Sequence, residues 1–340
     1  MAEVRTAEVS VVIPTYARRD QVLRAVRSAL GQQGVDVEVI VVDDCSPDPV
    51  VLEGYLGESD ARRVRVIRRT ATGGAGAARN DGIAVAQGTW VAFLDDDDLW
   101  SPTKLRGQLA ALREAGAVFA YSGALRVDGH GRVLAEPRLP EARSFAQEIR
   151  RGNTMFSGPS NIICSTTVIR GLGGFQQDLS FFADWEMWIR LSVAGAAARS
   201  NEVCVAVVDH PSSMTRTGSY DLARELECLR RHQPDLFRTD TSADRERLLR
   251  LRAACERATG RRVEASIGYV RAGLRGRRAV NLAKASACLL PGAGRGIESA
   301  LQRLTAERLR QPTRRALPRL LMATCSRSVA PAWVRTQLAR

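Results

Sequence analysis

The sequence predicts an α/β protein with a mostly parallel sheet, helices on both of its faces, and a basic helical region after it. Three observations carry this. Short β-branched runs alternate with helical patterns through the first hundred residues, a loop or helix start carrying Pro, Gly or Asp follows the strands, and the excess positive charge lies wholly in the last hundred residues. Near-continuous apolar strands at this spacing imply a sheet covered on both sides, because crossovers between parallel strands lay helices over its faces.

Val9-Ser10-Val11-Val12-Ile13 reads as the first strand and ends at Pro14-Thr15-Tyr16; Asp20 to Gln32 is the first helix. Val37 to Val42 is a second strand closed by Asp43-Asp44-Cys45-Ser46-Pro47, and Val64 to Arg68 is a short third. A helix over Gly76 to Gln87 leads into a strand over Thr89 to Leu94. Helix Ser101 to Ala115, strand Val118 to Ser122 and a hairpin around Asp128-Gly129-His130-Gly131 follow. Next come a strand-like Asn161 to Ile169, the turn Gly171-Leu172-Gly173-Gly174-Phe175, an amphipathic helix Asp184 to Val193 and a strand Glu202 to Val208. From Asp221 the pattern is helical and Arg-rich, broken by Pro291, Pro312, Pro318 and Pro331, which places the domain boundary near residue 220: a first domain over 1–220 and a helical region over 221–340.

A chain of 340 residues with 45% hydrophobic content can bury one large core or two modest ones. Its seven cysteines are odd in number and scattered without a Cys-x-x-Cys pair, so neither a disulfide framework nor a zinc knuckle is expected. No apolar stretch reaches the roughly 18 residues of a membrane helix. The start of the chain has no charged-apolar-cleavage pattern, so a cytoplasmic location is expected. The net charge of +13 divides unevenly: residues 241–340 hold 22 Arg or Lys against 6 Asp or Glu, a net of +16, while the first 240 hold 28 against 31. Such asymmetry points to a polyanionic surface, nucleic acid or the anionic face of a membrane, and the front of the chain carries no nucleic-acid motif. Within this region Ile297 to Arg310 reads as a basic amphipathic helix. It would meet the inner face of the membrane, or else pack on the first domain or on a second subunit in a homodimer.

The chemistry concentrates at strand ends. Asp95 to Asp98 are four consecutive carboxylates directly after Trp90-Val91-Ala92-Phe93-Leu94. Adjacent carboxylates raise one another's pKa, and a hard cation with oxygen ligands, Mg²⁺ or Mn²⁺, shared with a phosphate-bearing substrate relieves the repulsion. The carboxyl ends of strands are also where open α/β sheets place their ligand crevice. Asp43 and Asp44 stand where a carboxylate can accept hydrogen bonds from a base or a ribose. The small-residue loop Gly73-Gly74-Ala75-Gly76-Ala77-Ala78-Arg79-Asn80 lets backbone approach a ligand and places Arg79 near the acids.

In this order the residues resemble glycosyltransferase family 2, the inverting nucleotide-sugar transferases of the GT-A fold. The resemblance rests on Val9 to Tyr16, Ile40 to Ser46, Gly76 to Gly82, Phe93 to Leu105, Gly173-Gly174-Phe175 and Asp184-Trp185-Glu186-Met187-Trp188-Ile189-Arg190-Leu191, and covers about residues 9 to 216. It implies a nucleoside-diphosphate sugar as donor, most often a UDP-sugar, a glycan or lipid-linked acceptor, and a role in cell-surface polysaccharide or glycoconjugate synthesis. The family's Asp-x-Asp element falls on Asp95-Asp96-Asp97, with Asp97 the foremost metal ligand and Asp95 or Asp96 meeting the ribose or the metal. Asp43 or Asp44 would bond the base, the main chain at Pro14, Thr15 and Tyr16 would line the pocket, and Gly76 and Arg79 would lie against the nucleotide. The catalytic base falls on Asp184. Ala183 stands where relatives often carry a second acid, and Glu186, two residues on, would point away from Asp184. His210 occupies a segment that often brings a histidine or basic side chain to the metal or diphosphate, and Arg216 could neutralise the same leaving group. Trp100 and Trp185 would either stack on sugars or belong to the core.

Two other classes compete. A sugar-nucleotide nucleotidyltransferase would need a Gly-rich basic loop immediately after the first strand, which Pro14-Thr15-Tyr16-Ala17 does not supply. A nucleic-acid-binding protein using the basic tail would leave the acid-lined front unexplained.

Overall fold

A computed structural model of the chain describes residues 7–137, 139–155, 157–210, 221–239, 241–258, 262–276, 281, 284–285, 288 and 329–339. Strand β1 (Val9–Thr15), buried at all seven positions, runs parallel to β2 (Val37–Asp43) on one side and β4 (Trp90–Phe93) on the other. Strand β3 (Val64–Arg68) extends the parallel set beyond β2. Helix α1 (Arg19–Leu30) buries Val22, Ala25, Val26 and Ala29, a spacing that gives it one apolar face, and packs on β1 and β2. Helix α2 (Glu58–Ala61) is a single turn, and α3 (Gly74–Val85) also lies on β1 and β2, close enough that a Cβ on Gly82 would collide with Val12. The expected α/β class and its parallel half are therefore present.

Beyond β4 the sheet becomes mixed. The chain continues through β5 (Asp98–Trp100), α4 (Lys104–Ala115), β6 (Phe119–Val127), β7 (Val133–Ala135), α5 (Phe145–Arg151), β8 (Ile163–Ser165), α6 (Thr166–Gly171), α7 (Ala183–Ala194) and β9 (Ala197–Val208). Strand order is β3-β2-β1-β4-β8-β6-β9-β5, with β7 paired to β6; β8 is antiparallel to both of its neighbours. Asp98-Leu99-Trp100, which the sequence pattern assigns to no element, is a strand antiparallel to the end of β9, Asp98 opposite Val207. The segment expected as strand Asn161 to Ile169 is strand only at Ile163–Ser165, because the Ser165 side chain accepts from the Val168 N–H and starts α6. The hairpin at Asp128 forms: its Oδ1 accepts from the His130 and Arg132 N–H groups at 3.0 and 2.9 Å, and Gly131 takes φ 75°.

A buried polar chain ties α4 to the rest of this half. Lys104 has no exposed surface, with its Nζ 3.8 Å over the Trp100 ring and donating to Gln108 Oε1 at 2.8 Å. Burial lowers its pKa to about 7. Gln108 donates to the Asn161 carbonyl at 2.6 Å, and Asn161 pairs with Ser122 through its amide in both directions. Trp100 Nε1 donates to the Ser160 carbonyl at 2.7 Å and Trp185 Nε1 to the Ile149 carbonyl at 2.7 Å; both indoles are core residues rather than sugar platforms.

The chain divides into two compact units, Met1–His210 with Cys325–Arg340, and Pro211–Thr324, where the sequence places a single boundary near 220. The return of the C-terminus has a packing cause. Val329 bridges Arg132, Ala330 N–H donates to the Gly131 carbonyl at 2.9 Å, and Val334 is buried with Leu99, Leu125, Val127 and Ala206. A helix over Ala332–Leu338 follows, and Gln337 Nε2 donates to the Trp100 carbonyl at 2.9 Å. In the second unit, helices over Ser242–Ala258 and Arg262–Gly276 cross at Gly268, where a Cβ would press on Ala253, around a small core that includes Tyr269, Ala265 and Cys288. Among the described residues no helix is long and apolar enough to cross a membrane. The segment Ile297 to Arg310 and Arg216 lie outside the described residues.

Candidate active site

The ends of β1, β2 and β4, the start of α3 and the start of α7 supply the site. The four neighbouring acids sit in four different environments. Asp95 accepts from Arg79 at 2.6 Å, and the Arg79 guanidinium lies 5.3 Å over the Phe175 ring. Asp96 is buried, accepts from Thr15 Oγ1 at 2.7 Å and from Arg18 at 3.0 Å, and its pKa is pushed up to about 6 by burial and then by the charge of Asp97. Asp97 accepts from the same Arg18 nitrogen at 2.8 Å and lies 2.7 Å from His210 Nε2. Burial alone would raise the Asp97 pKa; the bond to His210 and the charge of Arg18 outweigh it and hold it below the usual range. Asp98 faces inward from β5, where Ser160 Oγ donates to it at 2.5 Å, and burial holds its carboxyl well above the usual range. Of the four consecutive acids, Asp98 is thus turned into the interior on β5 and bonded to Ser160, while Asp95, Asp96 and Asp97 meet Arg79, Arg18 and His210.

At the end of β2, Asp43 is fully buried and accepts from the Ser46 N–H at 2.9 Å and Val50 N–H at 3.3 Å, so it shapes the loop that follows. Asp44 accepts from the Gly73 and Gly74 N–H groups at 2.9 and 2.8 Å and pairs with Arg69, joining that loop to the start of α3. Pro14 is buried in β1, Thr15 reaches Asp96, and Tyr16 is 48% exposed at the mouth. Gly76 is buried, and a Cβ there would meet the Gln176 carbonyl oxygen at 3.6 Å, an ordinary contact, so packing does not demand a glycine at this position. Ala17 and Cys45 take φ of 55° and 63°, left-handed values that cost non-glycine residues on the order of 1–3 kcal/mol and cluster at functional sites.

Asp184 lies in the first turn of α7. Its Oδ1 accepts from the Trp185 N–H at 2.6 Å and its Oδ2 from Asn153 Nδ2 at 3.5 Å. Burial raises its pKa to about 6; the Trp185 N–H and the charge of Arg79 lower it and Asp95 raises it. The acid loop, Arg79 and Asp184 therefore share one electrostatic environment. Glu186 points elsewhere, as its spacing predicts: it grips Arg190 Nε at 2.8 Å, and Arg190 donates to the Leu172 and Gly174 carbonyls. Asn80 completes that turn by exchanging two hydrogen bonds with the Phe175 backbone at 2.8 and 2.7 Å.

Arg18, Ser160 and Asn153 bond the acids of this site and are not among the residues to which the sequence points. Arg18 follows Ala17 just beyond β1 and carries the one local signal, a basic residue near a strand end. Asn153 lies in a loop and Ser160 in a single 3-10 turn over Gly158–Asn161, neither with a motif of its own. Among the described residues no three His, Cys, Asp or Glu side chains converge as a metal cage. The Asp97–His210 pair supplies a hard oxygen beside an imidazole nitrogen. The carboxylate fits a divalent ion whose remaining ligands are water and substrate phosphates, and the imidazole departs from the all-oxygen set usual for Mg²⁺.

A solved structure, S. aureus TarS 1-349 in complex with UDP-GlcNAc, covers 90% of this chain and 93% of its own with a TM-score of 0.57 at 18% identity, a likeness of fold. The fold is of GT-A architecture. Residues 10–172 match the family model described as Glycosyl transferase family 2. The putative teichuronic acid biosynthesis glycosyltransferase TuaG of Bacillus subtilis is 32% identical over 204 residues, 58% of this chain and 77% of that protein. The chain belongs to glycosyltransferase family 2. It is also 27% identical over 227 residues to UDP-Glc:alpha-D-GlcNAc-diphosphoundecaprenol beta-1,3-glucosyltransferase WfaP of Escherichia coli, covering 65% of this chain and 85% of that one. With the succinoglycan biosynthesis protein ExoO of Rhizobium meliloti it shares 40% identity over 130 residues, 38% of this chain and only 37% of that protein's length.

Proposed function

We propose that this protein transfers a sugar from a UDP-sugar to a hydroxyl of a lipid-linked or glycan acceptor, with inversion, in the assembly of a surface polysaccharide. The observation that carries the reading is that Arg79 bonds Asp95, that both charges act on Asp184, and that Asp96 and Asp97 adjoin them on Arg18. The UDP donor and diphosphate-lipid acceptor are supported by the names of TarS and WfaP, the polysaccharide role by those of ExoO and TuaG.

In this reading Asp44 and the exposed rim of Tyr16 face the base and Asp95 the ribose, while Arg79 holds Asp95 in place. Asp97 and His210 would hold Mg²⁺ or Mn²⁺, which would supply positive charge against the leaving diphosphate. Asp184 takes the proton from the acceptor hydroxyl as that oxygen attacks the anomeric carbon from the face opposite the diphosphate. The new C–O bond forms as the bond to the diphosphate breaks, so one displacement inverts the centre. A carboxylate with a pKa near 6 is ionised at neutral pH yet basic enough to accept that proton.

Titrating UDP-sugars into the wild-type chain and the Asp97→Ala and Asp184→Asn variants, with and without Mn²⁺, tests this. Asp97→Ala is expected to weaken Mn²⁺-dependent donor binding, whereas Asp184→Asn retains it; equal loss in both variants counts against the assignment.

Membrane contact has its own support in the second unit. On the helix over Arg262–Gly276, Val263, Ile267, Val270 and Leu274 are exposed, by 59%, 47%, 37% and 70%, at spacings that put them on one face. Arg271 and Arg275 flank them, in a region of net positive charge. An apolar stripe edged by basic residues suits an anionic bilayer. The double variant Ile267→Glu/Leu274→Glu is expected to lose flotation with anionic liposomes while keeping its helical circular dichroism; undiminished flotation would remove this surface from consideration.

A further inference from the structure

Arg18 stands at the junction of β1 and α1, and one of its guanidinium nitrogens reaches both Asp96 Oδ1 at 3.0 Å and Asp97 Oδ2 at 2.8 Å. The same Asp97 oxygen lies 2.7 Å from His210 Nε2. The backbone is committed to this placement: Ala17 turns the chain at φ 55°, its N–H donates to Ser46 Oγ at 2.8 Å, and Thr15 of the same segment bonds Asp96. A protein cation therefore stands against the carboxylate that, in the reading above, receives the divalent ion. A guanidinium and a divalent ion on the same carboxylate oxygens repel each other, so one must yield. A diphosphate offers the guanidinium an alternative, since its planar fork pairs with phosphate oxygens at least as well as with a carboxylate.

We infer that Arg18 couples metal to donor: without donor its guanidinium closes Asp96 and Asp97, and an arriving diphosphate draws it away and opens both carboxylates to the ion. The inference rests on the metal-dependent reading above. It makes Arg18 a positioning residue that acts through the acids. Because binding linkage is reciprocal, the donor must raise the affinity for the ion by the same factor as the ion raises that for the donor.

The test is Mn²⁺ binding to the full chain followed by electron paramagnetic resonance, with and without UDP. In the wild type UDP is expected to tighten Mn²⁺ binding by about 5- to 150-fold, the usual span of such couplings. In Arg18→Gln, Mn²⁺ alone is expected to bind several-fold more tightly than in the wild type, with the UDP enhancement reduced. Arg18→Lys keeps a cation at the acids without the fork, so Mn²⁺ alone binds as in the wild type while the enhancement falls. Both variants are compared at matched circular dichroism. Coupled binding in the wild type with unchanged or weaker Mn²⁺ affinity in Arg18→Gln, or full enhancement in Arg18→Lys, overturns the role of Arg18 alone. A wild type that binds no Mn²⁺ even with UDP overturns the metal-dependent reading and the coupling together.

Discussion

Asp184→Asn is expected to lower kcat by about 10²- to 10⁴-fold, the range for loss of a general base, while donor affinity stays within about twofold of the wild type. The amide keeps the size of the side chain and can still accept from the Trp185 N–H at Oδ1, so the start of α7 need not move. What disappears is the capacity to hold the proton of the acceptor hydroxyl. Burial first, then Asp95, raises the Asp184 pKa to about 6, against the opposing pull of the Trp185 N–H and Arg79. The ionised carboxylate is the active form, so the rate falls by about tenfold per unit as pH drops below that value, and this acid limb is absent in Asp184→Asn. A carboxylate whose folded pKa exceeds its unfolded one weakens the fold as pH rises between the two values. The same variant should therefore be at least as stable as the wild type at pH 8 by thermal denaturation. A rate profile that keeps its acid limb in Asp184→Asn would assign the base to another group.

The parallel half was legible because β1, β2 and β4 are buried at nearly every position and read as near-continuous apolar runs, whereas the edge strand β3 is exposed at Arg65, Val66 and Arg68 and shows only through its Val and Ile residues. In the mixed half α4, α7 and parts of β6 and β9 were legible, but β8 and β5 are three residues each and owe their existence to partners distant in sequence. The same holds within the site. Adjacency revealed the acids and the resemblance identified Asp184, but only tertiary structure sorts Asp98 into the interior and Asp43 into its loop. Lys104 is the sharpest case: at the first turn of an exposed helix it would be solvated, and instead it is buried over Trp100 and bonded to Gln108, which Asn161 in turn holds. Val334 gives no sign within an Arg-rich tail that it will be buried beside Leu125 and Leu99.

Glu186→Ala is expected to cost on the order of 3–5 kcal/mol, the range for removing one partner of a buried ion pair, because the loss leaves the Arg190 charge uncompensated beneath the turn. The Glu186 side chain is 1% exposed and that of Arg190 16%, and the pair is joined by three contacts of 2.6–2.9 Å. Arg190 in turn holds the Leu172 and Gly174 carbonyls, Gly174 takes φ 70°, and Phe175 follows with its backbone fixed by Asn80. Phe175 is the ring on which Arg79 rests, and Arg79 is the cation that holds Asp95. The pair thus links the helix that carries Asp184 to the arginine that orders the acid loop, so variant protein that remains folded at low temperature should also bind UDP-sugar more weakly. Replacing both partners, Glu186→Met with Arg190→Met, removes the stranded charge and is expected to recover most of the stability in urea denaturation. Donor affinity should not return with it, since methionine cannot donate to the two carbonyls that fix the turn. Recovery of affinity together with stability would show that the ion pair only supports the fold.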